Sequence, residues 1–189
     1  MRRLGESVLS FIHWLRKPQR FIHKLQALTA NQTLPRLNQL DELALYYGIE
    51  VAEMPLNSGV EGMATYVDGQ PVILLRSDLT PFNRQFVLAH EMAHIQLHLT
   101  AATGREVFMS YVPGGDVDVE ADTYAILCMM ESLPPERVVT DGIKYVITNR
   151  NMTRRAWRVI LYFSGYRLRI MLAQLIERTL LSPMVKGAI

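Results

Sequence analysis

The sequence predicts an α+β protein: a small antiparallel sheet followed by two central helices, with further helices at both ends. Three observations carry that prediction. In MATYVDGQPVILLR, two strand-like runs flank Asp68-Gly69, a dipeptide favoured by tight hairpin turns. A capped amphipathic run, LTPFNRQFVLAHEMAHIQLHL, follows almost at once. Both ends of the chain are basic and read as helical.

In order along the chain, residues 4–28 read as helix, broken near Pro18. NQTLPRLNQL leads into a helix expected over about 36–47, and Gly48 stands where a helix stops. IEVAEMPL alternates as a strand, and the hairpin comes next. Thr80 is a good N-cap and Pro81 suits the first helical position. Phe82, Phe86, Ala89, Ala93 and Leu97 then recur at helical spacing. Gly104 marks an exit, and 105–115 form a loop ending in Gly114-Gly115. A second helix is expected over about 117–132, stopped by Pro134-Pro135. The stretch 153–181 forms one long helix or two. Its Trp157, Leu161, Ser164, Leu168, Met171 and Leu175 follow a 4-3-4-3-4 spacing that suits packing on the protein's own core or on a partner helix.

This order suggests a basic N-terminal helical segment, 1–35, a core, 36–136, and a basic helical extension, 137–189, packed together as one domain. With 189 residues, 49% of them hydrophobic and 20% charged, the chain is long and apolar enough to bury a core. The charge is unevenly spread: +5 over 1–24, −11 over 25–136 and +8 over 137–189. Basic ends suit docking on the acidic centre. They would also suit nucleic acid or an acidic partner, although no nucleic-acid motif accompanies them. The most apolar long run, 157–176, contains Arg158, Arg167 and Arg169, too many charges for a membrane span. The N-terminus turns apolar, but His13, Arg16 and Lys17 come too early for a signal peptide. One cysteine, Cys128, excludes an internal disulfide and is consistent with a reducing cytoplasm.

His90-Glu91-x-x-His94 is the motif that carries chemistry. On a helix, residues four apart share a face, with Cβ atoms roughly 5–6 Å apart. Two imidazoles so placed can converge on one ion at about 2.0–2.1 Å each, as zinc requires. Glu91, beside the first histidine, can reach a water held by that ion and act as general base. With 5 His and 11 Glu in 189 residues, chance gives about 0.008 such matches. His98 continues the ladder but lies roughly 12 Å along the axis from His90, too far to share its ion. A zinc-protease pattern needing Gly and His further along finds Leu97 and Thr100 there. His98 is therefore expected near the site or at the surface.

The third ligand is expected on the acidic start of the next helix, GGDVDVEADTYA. Asp118 and Asp122 flank its apolar face one turn apart, and Glu120 points more nearly away. This favours Asp118 as ligand and Asp122 as the group that orients a ligand histidine. Glu120 is the alternative third ligand, since glutamate reaches further. Tyr66, Tyr111 and His98 are candidates for steadying an oxyanion.

At this point the sequence resembles the ImmA/IrrE-like metallopeptidases, small intracellular zinc-dependent proteins of the HExxH, gluzincin-like type. ALYYGIEVAEMPL looks like the family's helix leading into its first strand. PVILL and NRQFVLAHEMAHIQLH resemble its strand and catalytic helix, with Arg84 and Phe86 on the approach. DVEADTYAILCMM resembles its second ligand helix, with Asp118 where the family usually has Glu and Ala93 where it usually has Gly. The resemblance covers roughly 40–133. It implies one zinc ion and cleavage of a transcriptional repressor, often of helix-turn-helix type, in phage or stress control. Residue spacing shows only the metal site, and the leading expectation built on it is a zinc metalloendopeptidase. The alternative is a non-catalytic metal-binding regulatory module whose basic ends hold a protein or nucleic acid.

Overall fold

The computed structural model describes residues 10, 12, 15–29, 34–99, 108–109, 115–132, 150–163 and 170–174. Gly104, Tyr111, Gly114, Ser164, Leu168 and Leu175 lie outside them. The chain forms two compact units, Met1–Ala30 with Ile160–Ile189, and Asn31–Val159.

In the first unit, α1 spans Lys17–Thr29. Pro18 sits in its first turn, where a missing N–H leaves no bond unmade. Phe21 is buried and meets Phe163 at 6.1 Å between ring centroids. Ile12, Leu15 and Ala173 are buried together.

The second unit opens with a 3₁₀ turn, Leu37–Gln39, which continues into α2, Leu40–Tyr46. Gly48 ends α2 at φ +66, a left-handed conformation that favours glycine, and the Ile49 N–H donates back to the Ala44 carbonyl at 2.8 Å. The strands are β1 (Glu50–Met54), β2 (Gly62–Val67) and β3 (Gln70–Arg76). Asp68 and Gly69 turn β2 into β3 with φ of 49 and 81, the pair of positive values that a tight hairpin turn needs.

The four-stranded sheet has the order β1-β3-β2-β4, where β4 is Phe108–Met109. β2 pairs antiparallel with β3, as the hairpin pattern predicts, and also with β4, a short strand inside the stretch expected to be a loop. β1 pairs parallel with β3, so the sheet is mixed. The reason is topological: β3 inserts between β1 and β2, and β1 runs opposite to β2.

Helix α3, Pro81–Ala93, packs on β2 and β3. The Thr80 side chain caps it by accepting from the Asn83 N–H at 3.3 Å, with Pro81 in the first turn. Arg84 ties α3 to α2 through Asp41 at 2.9 Å and to β1 through Glu53 at 2.7 Å. α4, Asp116–Ser132, packs on α3. Its Ser132 Oγ accepts from the Leu37 N–H at 2.8 Å, which ties the 3₁₀ turn to the end of α4. With the sheet and α4 both against it, α3 is buried at every residue from Phe86 to Ala93. Polar groups there must find partners inside the protein. Helix α5, Arg150–Phe163, enters the second unit with residues up to Val159. On the face expected to pack, Trp157 is 59% exposed, Leu161 61% and Met171 65%. No described helix is long and apolar enough to cross a membrane.

Candidate metal centre

The end of α3 carries His90 and Glu91, and His94 opens the turn that follows. All three are buried, at 2%, 0% and 0% exposure. His90 Nε2 lies 3.2 Å from His94 Nε2, and His94 Nε2 lies 3.6 Å from Asp118 Oδ1. One ligand atom from each residue lies within 4.8 Å of the other two. Ligands about 2.0–2.1 Å from a tetrahedral ion stand about 3.3 Å apart, so these spacings suit one small divalent cation. The cluster can hold such an ion. Among the described residues it is the one group of three or more His, Cys, Asp or Glu side chains arranged that way.

Asp118 comes into place because α4 begins at Asp116, early enough to put it in the first turn. The Gly115 carbonyl accepts from the Asp118 and Val119 N–H groups at 3.1 and 3.2 Å. Glu120, which the helical rotation turned away from the apolar face, faces a partner of its own. It is buried, and its Oε2 meets His98 Nε2 at 3.0 Å. The physical reason is that a further turn of chain follows α3 and brings His98 opposite this second face of α4.

Each histidine is supported differently. His90 Nδ1 donates to Asp122 Oδ1 at 3.0 Å, which leaves the Nε2 lone pair for an ion. Arg155 of α5 donates to the same Oδ1 at 2.7 Å and to Glu61 Oε2 at 2.9 Å. Arg158 donates to Asp122 Oδ2 at 2.8 Å. Burial would raise the Asp122 carboxyl, but the His90 hydrogen bond and the two guanidinium charges outweigh it and hold the pKa below the ordinary carboxylate value. The Arg155 guanidinium also lies 5.7 Å from the Phe86 ring centroid.

His94 opens a π-helical turn, His94–His98, closed by the Leu99 N–H donating to the His94 carbonyl at 2.8 Å. The wider turn brings His98 beneath His94, with ring centroids 5.1 Å apart and the two Nδ1 atoms 3.1 Å apart. Burial, with the neighbouring His90 and His98 imidazoles, pushes the His94 pKa down to about 2, so its ring stays neutral.

Glu91 faces the sheet. A Cβ on Gly62 of β2 would stand 2.9 Å from Glu91 Oε1 and 2.5 Å from Val87 Cγ1. Glycine at this position makes room for the carboxylate. Tyr66 stands half-buried on β2 opposite Pro71. Sequence reasoning missed Gly62, Glu61, Arg155 and Arg158. The arginines read there as part of a basic end, and Arg158 also as a charge against a membrane span, although their i, i+3 spacing places both on one helix face.

The fold and this site place an HExxH motif and a carboxylate in one cluster able to hold a divalent metal ion. Residues 44–110 match the Peptidase_M78 family, described as IrrE N-terminal-like domain. Through that segment the chain is similar to the ImmA/IrrE-like family. The match includes His90, Glu91 and His94 and ends before Asp118. The chain is also 33% identical, over 99 residues, to a protein of Bacillus phage phi105 named "Uncharacterized immunity region protein 2". The alignment covers 52% of this chain and 60% of that relative's length.

Proposed function

We propose that the protein is a zinc-dependent metalloendopeptidase that cleaves a regulatory protein, such as a helix-turn-helix transcriptional repressor. The observation that carries this reading is the convergence of His90 Nε2, His94 Nε2 and Asp118 Oδ1 beside a buried Glu91. In this reading His90, His94 and Asp118 are the ligands, Asp122 orients His90, and Glu91 is the catalytic residue. Bound zinc supplies a polarised carbonyl and a water whose pKa falls to about 7. Glu91 would act as general base, holding at its carboxylate the proton that then goes to the leaving amine. Gly62 keeps the space in which the Glu91 carboxylate sits.

The repressor substrate is suggested by the family and by the printed name of the phage phi105 relative, which places that protein in an immunity region. The proposed setting is the cytoplasm, where the lone buried Cys128 stays reduced. Glu91→Gln is the test, with a repressor encoded nearby as substrate. The amide cannot accept the proton, so cleavage should fall by roughly 10²–10⁴-fold while metal content and folding persist. Full cleavage by the variant removes Glu91 from the mechanism. Should the wild type cleave nothing yet bind the partner unaltered in Glu91→Gln, the chain is a metal-binding regulatory module instead.

A further inference from the structure

We propose that His98 and Glu120 are positioning residues that fix the tautomer of His94 and so aim its Nε2 lone pair at the metal. This role rests on the metal-site reading above. It explains why a third histidine and a second carboxylate are buried beside the cluster without belonging to it.

The assignment follows from donor and acceptor chemistry. Glu120 Oε2 stands 3.0 Å from His98 Nε2, and a carboxylate only accepts, so the proton lies on His98 Nε2. A neutral imidazole carries one proton, which leaves His98 Nδ1 bare. That bare nitrogen faces His94 Nδ1 at 3.1 Å. Two N–H groups cannot face each other at that distance, so His94 Nδ1 carries the proton and donates it. His94 Nε2 is then unprotonated, and it is the atom that points at His90 Nε2 and Asp118 Oδ1. Ligation through Nε2 demands the same proton positions from the other end. The relay is dry: the side chains of His98 and Glu120 are 3% and 10% exposed. In a regular α-helix His98 would sit one turn further along its own row. The π-helical turn draws it under His94 instead.

Zinc affinity, measured by competition with a chromophoric chelator, separates this role from a merely structural one. His98→Leu cannot accept from His94 and should weaken zinc binding by about 10–100-fold. His98→Gln offers an amide oxygen in its place and should restore affinity to within about threefold of wild type. Glu120→Leu should weaken binding in the same direction, yet add nothing in the His98→Leu background. If Glu120 were itself a ligand, its loss would add fully there. Nitrogen NMR of the zinc-loaded wild type gives an answer that needs no variant to fold: His98 should show a protonated Nε2 and a bare Nδ1. The proposal is overturned by a protonated His98 Nδ1, by His98→Leu binding zinc as wild type does, or by additive losses. A wild-type chain that takes up no zinc removes the metal site itself, and this role with it.

Discussion

The two histidines of the motif do the same task on opposite kinds of support. His90 leans on an ionic hub: Asp122, clamped by Arg155 and Arg158, with Glu61 beyond. His94 leans on a single-file relay that runs through the His98 ring to the Glu120 carboxylate. The hub joins α3, α4, α5 and the residue before β2, so it belongs to the fold as much as to the site. The relay is largely local, because His98 lies in the turn that His94 opens. The difference teaches that two histidines of one cluster can be held in unlike ways, one by the fold at large and the other by a local turn.

Breaking the hub should therefore have the largest effect on stability. Asp122→Ala takes this carboxylate from Arg158 and leaves Arg155 with Glu61, and should cost the metal-free protein about 3–5 kcal/mol, read as a lowered denaturant midpoint. His98→Leu, on the relay, takes one hydrogen bond from the buried Glu120 carboxylate and should cost the metal-free protein less. Equal losses for the two variants would erase the contrast. A smaller effect comes from a variant that touches neither support. Gly62→Ala drives a methyl group against Val87 and Glu91 and should cost about 1–3 kcal/mol. Zinc should still bind, while cleavage falls because Glu91 has been displaced. Intact cleavage in Gly62→Ala would show that the carboxylate does not need its place against β2.

What the sequence disclosed follows the same line between local and distant. The hairpin turn at Asp68-Gly69, the Thr80-Pro81 cap and the spacing of His90 and His94 are written in adjacent residues, and each was legible. The parallel pairing of β1 was not, because it depends on β3 lying between β1 and β2 in the sheet. The π-helical turn was not, because His94–His98 reads as one more turn of the same helix. Helical rotation alone turned Glu120 away from the site, since it takes no account of a partner arriving from another element. Arg155 was hidden by its composition: among ten basic residues over 137–189 it reads as surface charge, yet its side chain is 13% exposed and bonded to two carboxylates.

The central claim is that His90, His94 and Asp118 together hold one divalent ion. Elemental analysis of the purified chain, reconstituted at neutral pH, tests it most directly. One equivalent of zinc per chain should be found in the wild type and in Glu91→Gln. It should be lost in His90→Ala, His94→Ala and Asp118→Ala, each compared at matched folding by circular dichroism. No stoichiometric metal in the wild type, or a full equivalent retained by the Asp118 variant, would contradict the account.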